Sequence, residues 1–429
     1  MNKKTALIFY YNRPNKNSFN ALTGALEADD YFKDLNISFP RKEDDLFSEA
    51  EKAIDEYEKM IIGISFHTTQ IWDENKLIKG LRNKFGNKPV YIAGGPHPTG
   101  DPKGTLNMGF DIVVRGEGEE TIIELLKEID NDGDYTNIKG ISYYNSEGKF
   151  CFTGRRTSIN LDDFPPFAVN HSKFGPIEIT RGCPFACYFC QTPHIFGGRV
   201  RHRSVENICK YVEIMKSKNL TDIRFITPNS FSYGSKDGRE LNIDKLVELV
   251  SSIRKILNSD GKIFFGSFPS EVRPEHVTEE TIDLVLKYAD NDNLIIGAQS
   301  GSQRVLDSCH RGHTVADIYT SVELTLKAGL KANVDFIFGL PGETREDIEL
   351  TIKMMSYLVE TGARIHAHTF IPLPQTPFSK SWVKRRIDRK TRKMINNLIP
   401  KGVVYGDWQE QEEIALKIAK YLKSGRLEV

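Results

Sequence analysis

The feature that most constrains this chain is a group of three closely spaced cysteines. Cys183, Cys187 and Cys190 are spaced C-x3-C-x2-C, and they follow the apolar run 177–179, which predicts a strand. A short loop with this spacing brings three sulfurs together, and soft thiolate ligands select zinc or iron–sulfur clusters. The spacing therefore predicts a metal site at the end of a strand.

The residues alone leave two interpretations of this site open. A structural zinc site needs a fourth protein ligand, and His194 and His202 lie close enough in the sequence to supply one. An iron–sulfur cluster is the other interpretation, and there three protein ligands leave one coordination position open. Ligand count does not decide between the two.

The cysteine loop resembles that of a known family. The C-x3-C-x2-C spacing, with the aromatic Phe189 just before the last cysteine, resembles the cluster loop of the radical S-adenosylmethionine (SAM) enzymes. The resemblance implies a 4Fe–4S cluster in which the cysteines hold three irons and the fourth iron binds SAM. It also implies reductive cleavage of SAM to a deoxyadenosyl radical, with electrons from an external donor.

Charge and hydropathy limit the partners of the chain. Lys plus Arg and Asp plus Glu number 58 each, so no net charge favours nucleic acid or an anionic membrane as a partner. The first apolar run is too short for a signal peptide, and no apolar stretch is long enough to span a membrane. We therefore expect a cytoplasmic protein that binds neither nucleic acid nor membrane.

The N-terminal third alternates strand and helix patterns. Apolar runs predict strands at 5–11, 59–66, 89–95 and 110–114, and helical periodicity covers 20–30, 72–85 and 119–130. This alternation favours a flavodoxin-like (Rossmann-like) α/β domain with a doubly wound parallel sheet, which binds ligands at the carboxyl ends of its strands. The nucleotide-binding fingerprint G-x-G-x-x-G does not follow the first strand.

Two turns at these strand ends, 94–98 and 115–119, resemble those of cobalamin-binding (B12-binding) domains. Glycines there let the backbone approach a large flat ligand. The D-x-H-x-x-G segment that offers a histidine to cobalt in many such domains is absent before the cysteine loop. The sequence therefore does not identify the lower axial ligand of cobalt, and His67 is only a candidate contact. The resemblance implies these cobalamin-binding residues: Thr69, Gln70, Gly94, Gly95, His97, Gly116, Glu117 and Gly118.

We predict four parts in the chain. A cobalamin-binding domain covers 1–145, a hairpin and linker 146–172, a partial barrel 173–375 and a C-terminal helical extension 376–429. Six βα units in the third part are fewer than a full barrel needs, which favours the partial (β/α)6 TIM barrel of the radical SAM type. The predicted barrel strands are 177–180, 222–227, 262–267, 294–299, 332–339 and 364–371, and the helices between them are 205–218, 243–257, 279–288, 315–328 and 345–361.

The ends of the barrel strands hold the predicted SAM contacts. The segment 297–302 resembles the G-x-E-S-G segment of the family, with Gln299 in the usual Glu position, and 335–343 resembles the strand that flanks adenine. For each isolated residue, ordinary loop polarity explains the sequence equally well. The resemblance implies these SAM-binding residues: Asn229, Ser267, Glu271, Gln299, Ser300, Arg304 and Ile337.

Two basic segments have no assigned role in this scheme. We expect His310, Arg311 and His313 to form a short basic loop on the surface. The segment 380–393 carries eight Lys or Arg residues, which predicts either a solvated helix or a docking face for an acidic or peptide partner.

A cobalamin domain joined to a radical SAM domain resembles the class B, cobalamin-dependent radical SAM methyltransferases. The resemblance implies C-methylation of an unactivated carbon in a peptide, protein or small-molecule acceptor, for example a residue of methyl-coenzyme M reductase. A cobalamin-dependent cyclase or rearrangement enzyme, a non-catalytic corrinoid-binding protein and a zinc-stabilised module are the alternatives. A methylthiotransferase would carry further cluster cysteines, and no cysteine precedes Cys151. The sequence identifies no catalytic side chain.

Replacing any one of Cys183, Cys187 and Cys190 by Ala is expected to abolish the cluster and reductive SAM cleavage, because each thiolate holds one iron. Iron and sulfide analysis and deoxyadenosine formation, measured under anaerobic conditions, check this result. Cys151→Ala, which lies outside the motif, is the control. Retention of both cluster and cleavage in all three motif variants would contradict the assignment.

Overall fold

The computed structural model of the protein describes residues 3–381, 387, 389–398 and 402–427. The chain divides into two compact units. The first contains Met1–Gly175, Leu373–Gln375 and Ser424–Val429, and the second contains Pro176–Pro372 and Thr376–Lys423. Among the described residues, no helix combines the length and the apolar character that crossing a bilayer requires.

A seven-stranded sheet forms the centre of the first unit, with the order β2-β1-β3-β4-β5-β6-β7. The first five strands in this order are parallel, and their 2-1-3-4-5 arrangement is the flavodoxin-like one. The predicted α/β class of this domain is therefore confirmed. The strands are β1 (Lys3–Phe9), β2 (Asn36–Ser38), β3 (Tyr57–Ser65), β4 (Pro89–Gly94), β5 (Ile112–Val114), β6 (Ile141–Tyr144) and β7 (Phe150–Phe152).

Helices flank this sheet, and their bounds are α1 (Lys16–Glu27), α2 (Glu43–Glu56), α3 (Ile71–Phe85), α4 (Pro96–Gly100), α5 (Pro102–Met108) and α6 (Glu119–Asp130). The sequence did not indicate β2 or α2. Strand β2 is only three residues long, and α2 buries only Leu46, Ala50 and Ala53 among many charged residues. Both elements therefore carry a weak apolar pattern.

The hairpin that we predicted as part of a connector belongs to the first sheet. Strand β6 pairs antiparallel with β5, and β7 pairs with β6. The linker after it also lies in the first unit, which extends to Gly175. The physical reason is that β5 would otherwise be an edge strand with unpaired backbone groups, and the hairpin covers that edge.

Parallel strands form an arc in the second unit. The arc joins two sheets, β8-β11-β12 and β13-β14-β15-β16, which meet where the Ile295 N–H donates to the Gly266 carbonyl at 3.0 Å. The six predicted barrel strands are present, and β16 adds a short seventh. Their bounds, with those of the small pair β9 and β10, are β8 (Ile177–Glu178), β9 (Thr180–Arg181), β10 (Arg201–His202), β11 (Asp222–Ile226), β12 (Lys262–Phe264), β13 (Asn293–Gln299), β14 (Lys331–Phe338), β15 (Arg364–Thr369) and β16 (Val404–Tyr405).

Six of the helices between these strands begin at side-chain caps. The Thr314 and Thr344 hydroxyls each accept the backbone N–H three residues later, and Asp317 and Asp347 complete the capping boxes. The helices of this unit are α7 (Thr192–Phe196), α8 (Val205–Ser217), α9 (Ile243–Leu257), α10 (Glu279–Tyr288), α11 (Gln303–Ser308), α12 (Val315–Lys327), α13 (Arg345–Glu360), α14 (Pro377–Ser381), α15 (Arg389–Leu398) and α16 (Trp408–Ser424).

The predicted basic segment 380–393 is covered only in part. Its first residues end α14, and Arg389 begins α15. Residues 382–386 and 388, which include Lys384, Arg385 and Arg386, lie outside the described residues. The expectation of a docking face for an acidic or peptide partner stays a prediction.

Candidate active site

The cysteine loop begins at a glycine that the local backbone requires. Gly182 has φ +90°, and a Cβ at this position would lie 2.3 Å from the Arg199 carbonyl oxygen. The backbone N–H of Cys183 donates to the Gly197 carbonyl at 3.2 Å. The start of the loop is therefore held against the segment 197–199.

The three thiols lie at different depths. Cys187 is buried, and Cys183 and Cys190 are partly buried. Burial raises the pKa of the Cys183 thiol and raises that of Cys190 to about 11. Thiolate ligands at this position therefore need a nearby positive charge or a metal to be stable.

Arg311 supplies that charge. Its guanidinium is buried, Nη1 lies 3.7 Å from the Cys187 Sγ, and Nη2 donates to the Gly297 carbonyl at 2.8 Å. Burial alone would lower the pKa of Arg311, but the negative charges of Cys187 and Glu271 outweigh it and the pKa is raised. Its Nε is buried without a hydrogen-bond partner among the described residues. This Nε therefore keeps one unused hydrogen-bond donor for a group bound beside it.

A second buried arginine supports the other side of the loop. The Arg273 guanidinium lies 3.4 Å from the centroid of the Phe185 ring, and its Nε donates to Glu275 at 2.5 Å. It also donates to the backbone carbonyl of Arg311. Two cations thus surround the cysteine loop, and each is stabilised by polar partners, as buried charges must be.

Three polar side chains lie close to Gly297, and two of them are predicted SAM contacts. A Cβ there would lie 2.6 Å from Arg311 Nη2, 2.8 Å from Gln299 Nε2 and 3.3 Å from Glu271 Oε1. Glu271 itself lies 3.9 Å from Arg311. The predicted SAM contacts Glu271 and Gln299 therefore share one corner with the arginine beside Cys187.

The zinc interpretation does not fit the geometry. Both ring nitrogens of His202 are occupied, Nδ1 by the Thr180 hydroxyl at 2.9 Å and Nε2 by the Ser235 carbonyl at 2.8 Å. The ligands of a single zinc ion must also lie close to one another. In the described part of the chain, one group of three or more His, Cys, Asp or Glu side chains is this close, and it does not include the cysteines. Separate irons of a cluster fit the donor set better.

Other predicted SAM contacts differ in accessibility. The Ser267 hydroxyl is buried with no hydrogen-bond partner in the described chain, so it has capacity for a ligand. Asn229 is already engaged, since its Oδ1 accepts the Arg273 N–H at 3.2 Å and its Nδ2 lies 2.6 Å from His276. The Ser300 hydroxyl lies 3.2 Å from that of Thr351. Ile337 packs in the apolar cluster that also contacts Phe189.

The structure shows the surroundings of the predicted basic residues. Arg304 pairs with the Asp347 carboxylate, and its Nη2 donates to the Gly342 carbonyl at 2.8 Å. These contacts support the turn before α13, because Asp347 is a buried anion that needs a cation, and the contact of Arg304 with the SAM carboxylate stays a prediction. Arg311 and His313 are buried rather than on the surface, and His310 stacks on Tyr188.

In the first unit, hydrogen bonds connect the turns that follow the parallel strands. Asn15, after β1, donates to Gln70 at 3.1 Å, and Gln70 accepts the His67 N–H at 2.9 Å. The Thr68 hydroxyl, after β3, lies 3.2 Å from His97, after β4. The predicted cobalamin contacts Thr69, Gln70, Gly94 and His97 thus lie along one edge of the sheet.

The residues on this edge differ in their surroundings. Gly95 has φ +98°, and a Cβ there would lie 2.7 Å from Ser65 Oγ, whereas a Cβ at Gly94 would meet nothing within 4 Å. His97 has no exposed surface, and its ring stacks on Phe66, so it supports the Phe66–Thr68 turn from inside. Burial lowers the pKa of His97 to about 4.

The turn after β5 is tied to its surroundings by the remaining predicted contacts. The Gly116 N–H donates to the Thr99 hydroxyl at 3.1 Å, and the Glu117 carboxylate accepts the Ile159 N–H at 3.2 Å. Gly118 precedes α6 and faces Leu22. These residues shape the edge, and their contact with a cofactor stays a prediction.

Two orphaned polar atoms at the same edge fit a ligand rich in amide groups, such as cobalamin. Ser65 Oγ and Glu74 Oε2 are buried and have no partner among the described residues. Burial raises the pKa of Glu74 to about 8, so its carboxyl is protonated at neutral pH and can donate a hydrogen bond. The residues present therefore fit the group.

Comparison with known families finds a match in each of the two units. Residues 177–355 match the model of the radical SAM superfamily, and residues 13–126 match that of the B12 binding domain. These domains imply a 4Fe–4S cluster, SAM and cobalamin as cofactors, as the sequence predicted.

Sequence relatives include methyltransferases and methylthio-transferring enzymes. An uncharacterized methyltransferase of Pyrococcus horikoshii is 29% identical over 340 residues, which cover 76% of this chain and 70% of that protein. The tRNA-2-methylthio-N(6)-dimethylallyladenosine synthase of Petrotoga mobilis is 27% identical over 289 residues, which cover 64% of this chain and 62% of that protein.

Two solved structures share the fold over most of the chain. The radical SAM methyltransferase TsrM of Kitasatospora setae, with cobalamin and a 4Fe–4S cluster bound, has a TM-score of 0.68 at 18% identity and covers 88% of this chain and 77% of its own. The cobalamin-dependent radical SAM enzyme OxsB has a TM-score of 0.64 at 16% identity and covers 99% of this chain and 62% of its own.

Arg311→Gln is expected to lower the cluster reduction potential by on the order of tens of millivolts and to reduce cluster retention, because it removes a buried positive charge beside Cys187. Redox titration followed by electron paramagnetic resonance (EPR) measures the potential. Arg239→Gln is the matched control, because Arg239 lies over the Phe185 ring of the same loop, at 5.0 Å, but is exposed. Equal potentials in wild type and Arg311→Gln would refute the charge argument.

Gly94→Val is expected to weaken cobalamin binding at least tenfold while the fold is kept, since the added side chain meets open space in the protein itself. Equilibrium binding followed by cobalamin absorbance measures the affinity, and circular dichroism monitors the fold. Gly80→Ala in α3 is the control within the same unit. Unchanged affinity in folded Gly94→Val would remove this strand end from the cobalamin site.

Proposed function

We propose that this chain, which belongs to the cobalamin-dependent radical SAM family, is a methyltransferase that adds a methyl group to an unactivated carbon of a peptide or small-molecule acceptor. The observation that carries the proposal is the cysteine loop with the buried Arg311 guanidinium 3.7 Å from Cys187 Sγ, in a chain that also has a B12-binding domain. When bound, the cluster and SAM supply radical chemistry, and cobalamin supplies a cobalt centre that carries methyl groups.

The residues of the barrel hold and tune these groups. Cys183, Cys187 and Cys190 would each hold an iron, and Arg311 would offset the negative charge of the thiolates. Phe185 is buried and Phe189 packs in an apolar cluster, so both limit the access of water to the loop. A shielded site is what a reactive radical requires.

The corner formed by Glu271, Gln299 and the Ser267 hydroxyl would bind SAM. Gln299 stands where the family has Glu, and its amide keeps the capacity to hydrogen-bond but carries no charge. Burial raises the pKa of Glu271, Arg311 opposes this rise, and the nearby Asp335 carboxylate adds to it. The Glu271 carboxyl has oxygen atoms that can accept hydrogen bonds from the polar groups of a ligand.

The acceptor side of the proposal is supported only by class. The P. horikoshii relative is a methyltransferase by name, and one TsrM structure contains a tryptophan substrate. The name of the relative agrees with methyl transfer, and the tryptophan in TsrM suggests an amino acid, or an amino-acid residue of a peptide, as the acceptor. A peptide of methyl-coenzyme M reductase is one such acceptor to test.

Reduced enzyme is expected to transfer label from methyl-labelled SAM to its acceptor, with matching deoxyadenosine formation. The assay combines the anaerobic holoenzyme, cobalamin, a reductant and a panel of peptides and amino acids, and mass spectrometry reads the products. Cys187→Ala is the inactive control. Deoxyadenosine formed together with a cyclised or rearranged product, without an added methyl group, would assign the chain to the alternative class of cobalamin-dependent cyclases.

A further inference from the structure

A second cluster of metal-binding side chains lies on two barrel strands, and its two histidines have no role in the function proposed above. Asp335 is on β14, and His366 and His368 are on β15, with Asp335 directly opposite His366 in the parallel register. One ligand atom from each lies within 4.8 Å of the other two. None of the three side chains belongs to the cysteine loop, and Asp335 lies near Glu271 of the proposed SAM corner.

Strand alternation explains why the three side chains meet. In β15, Ile365 and Ala367 are fully buried against the rest of the unit, so His366 and His368 point to the opposite face. In β14, Val334 and Phe336 are buried in the same way, which places Asp335 on the face of the histidines. The Asp335 side chain keeps 13% of its surface exposed and that of His366 keeps 30%. Solvent therefore reaches the cluster.

The distances centre on one nitrogen. His366 Nδ1 lies 3.1 Å from Asp335 Oδ1 and 3.1 Å from His368 Nε2. Ligands at about 2.1 Å from a metal, with about a right angle between them, are separated by about 3 Å. The observed spacing is therefore that of adjacent ligands around one cation.

The ring hydrogens of the two histidines cannot form hydrogen bonds at both contacts of His366 Nδ1. The Thr369 N–H donates to Gln411 Oε1 at 2.8 Å, which turns Gln411 Nε2 toward His368 Nδ1 at 3.3 Å. His368 Nδ1 then accepts, and its hydrogen lies on Nε2, facing His366 Nδ1. His366 Nδ1 uses its one lone pair to accept this hydrogen. No hydrogen atom then lies between His366 Nδ1 and the Asp335 carboxylate.

We propose that Asp335, His366 and His368 bind a first-row divalent metal ion through one carboxylate oxygen and two imidazole nitrogens. Two histidines and one carboxylate are the ligand set of open, octahedral metal sites. Three protein ligands leave positions for water or for an oxygen atom of an acceptor. The His366 ring is held by stacking on Tyr405, at 4.6 Å between centroids and 9° between planes.

Gln411 limits the affinity of this site. A metal on His368 Nε2 moves the ring hydrogen to Nδ1, and that hydrogen faces the Gln411 amide nitrogen, which is also a donor. A carboxylate at position 411 would accept this hydrogen and the Thr369 N–H together. The site is therefore expected to bind metal more tightly in Gln411→Glu.

Titration of the anaerobic holoenzyme with Mn²⁺ tests the proposal, with free Mn²⁺ read from its EPR signal. We expect one saturable site per chain, at least tenfold weaker binding in Asp335→Asn and His368→Ala, and at least tenfold tighter binding in Gln411→Glu. Iron content and the cluster spectrum show that each variant is folded. Methyl transfer is not measured, so the result is independent of the proposed function.

Two matched variants control for charge and for histidine pairing. Gln409→Glu adds the same charge on an exposed position of α16 and should leave the affinity unchanged. His171 lies 2.6 Å from Glu27 in the first unit without a second histidine, and His171→Ala should also bind Mn²⁺ normally. No saturable site in wild type and Gln411→Glu, or a site that survives in both Asp335→Asn and His368→Ala, would overturn the proposal.

Discussion

The pairing of buried positive charge with the cysteine loop is the interaction on which the barrel site depends. A guanidinium is almost never buried unless it is paired, and Arg311 finds its partners in Cys187, Glu271 and the Gly297 carbonyl. Space for it requires glycine at 297. The ladder between β13 and β14 shifts register between Ile296 and Gln299, and this irregularity accompanies the positive φ of Gln299.

The carboxyl ends of parallel strands position the candidate sites in both units. In the first unit, hydrogen bonds link the turns after β1, β3 and β4, and buried polar atoms without a partner in the described part of the chain lie at the same edge. In the second, the strand ends carry the Arg311 corner. Loops at this end of parallel strands bring residues that are distant in sequence together on a rigid support. The metal site proposed for Asp335, His366 and His368 would use the same rigid support, because its ligands lie within the barrel strands rather than on the loops.

The sequence predicted the elements that have strong periodicity and missed those defined by long-range contacts. Helix α9 covers the predicted residues 243–257, because apolar spacing decides its bounds. The ion pair of Arg304 was not predicted, because its partner Asp347 lies 43 residues away. Arg311 was placed on the surface because only the folded loop shows what pairs with it. The register of two strands brings Asp335 next to His366, and no local pattern contains that information.

The central claim is that the cysteine loop holds a 4Fe–4S cluster with one iron open to SAM. Mössbauer spectroscopy of the protein reconstituted with 57Fe, recorded with and without SAM, tests this most directly. The account predicts that one of the four irons changes its isomer shift when SAM is added, while the three held by cysteine do not. A spectrum unchanged by SAM, or a protein that retains zinc and no iron after anaerobic reconstitution, would contradict it.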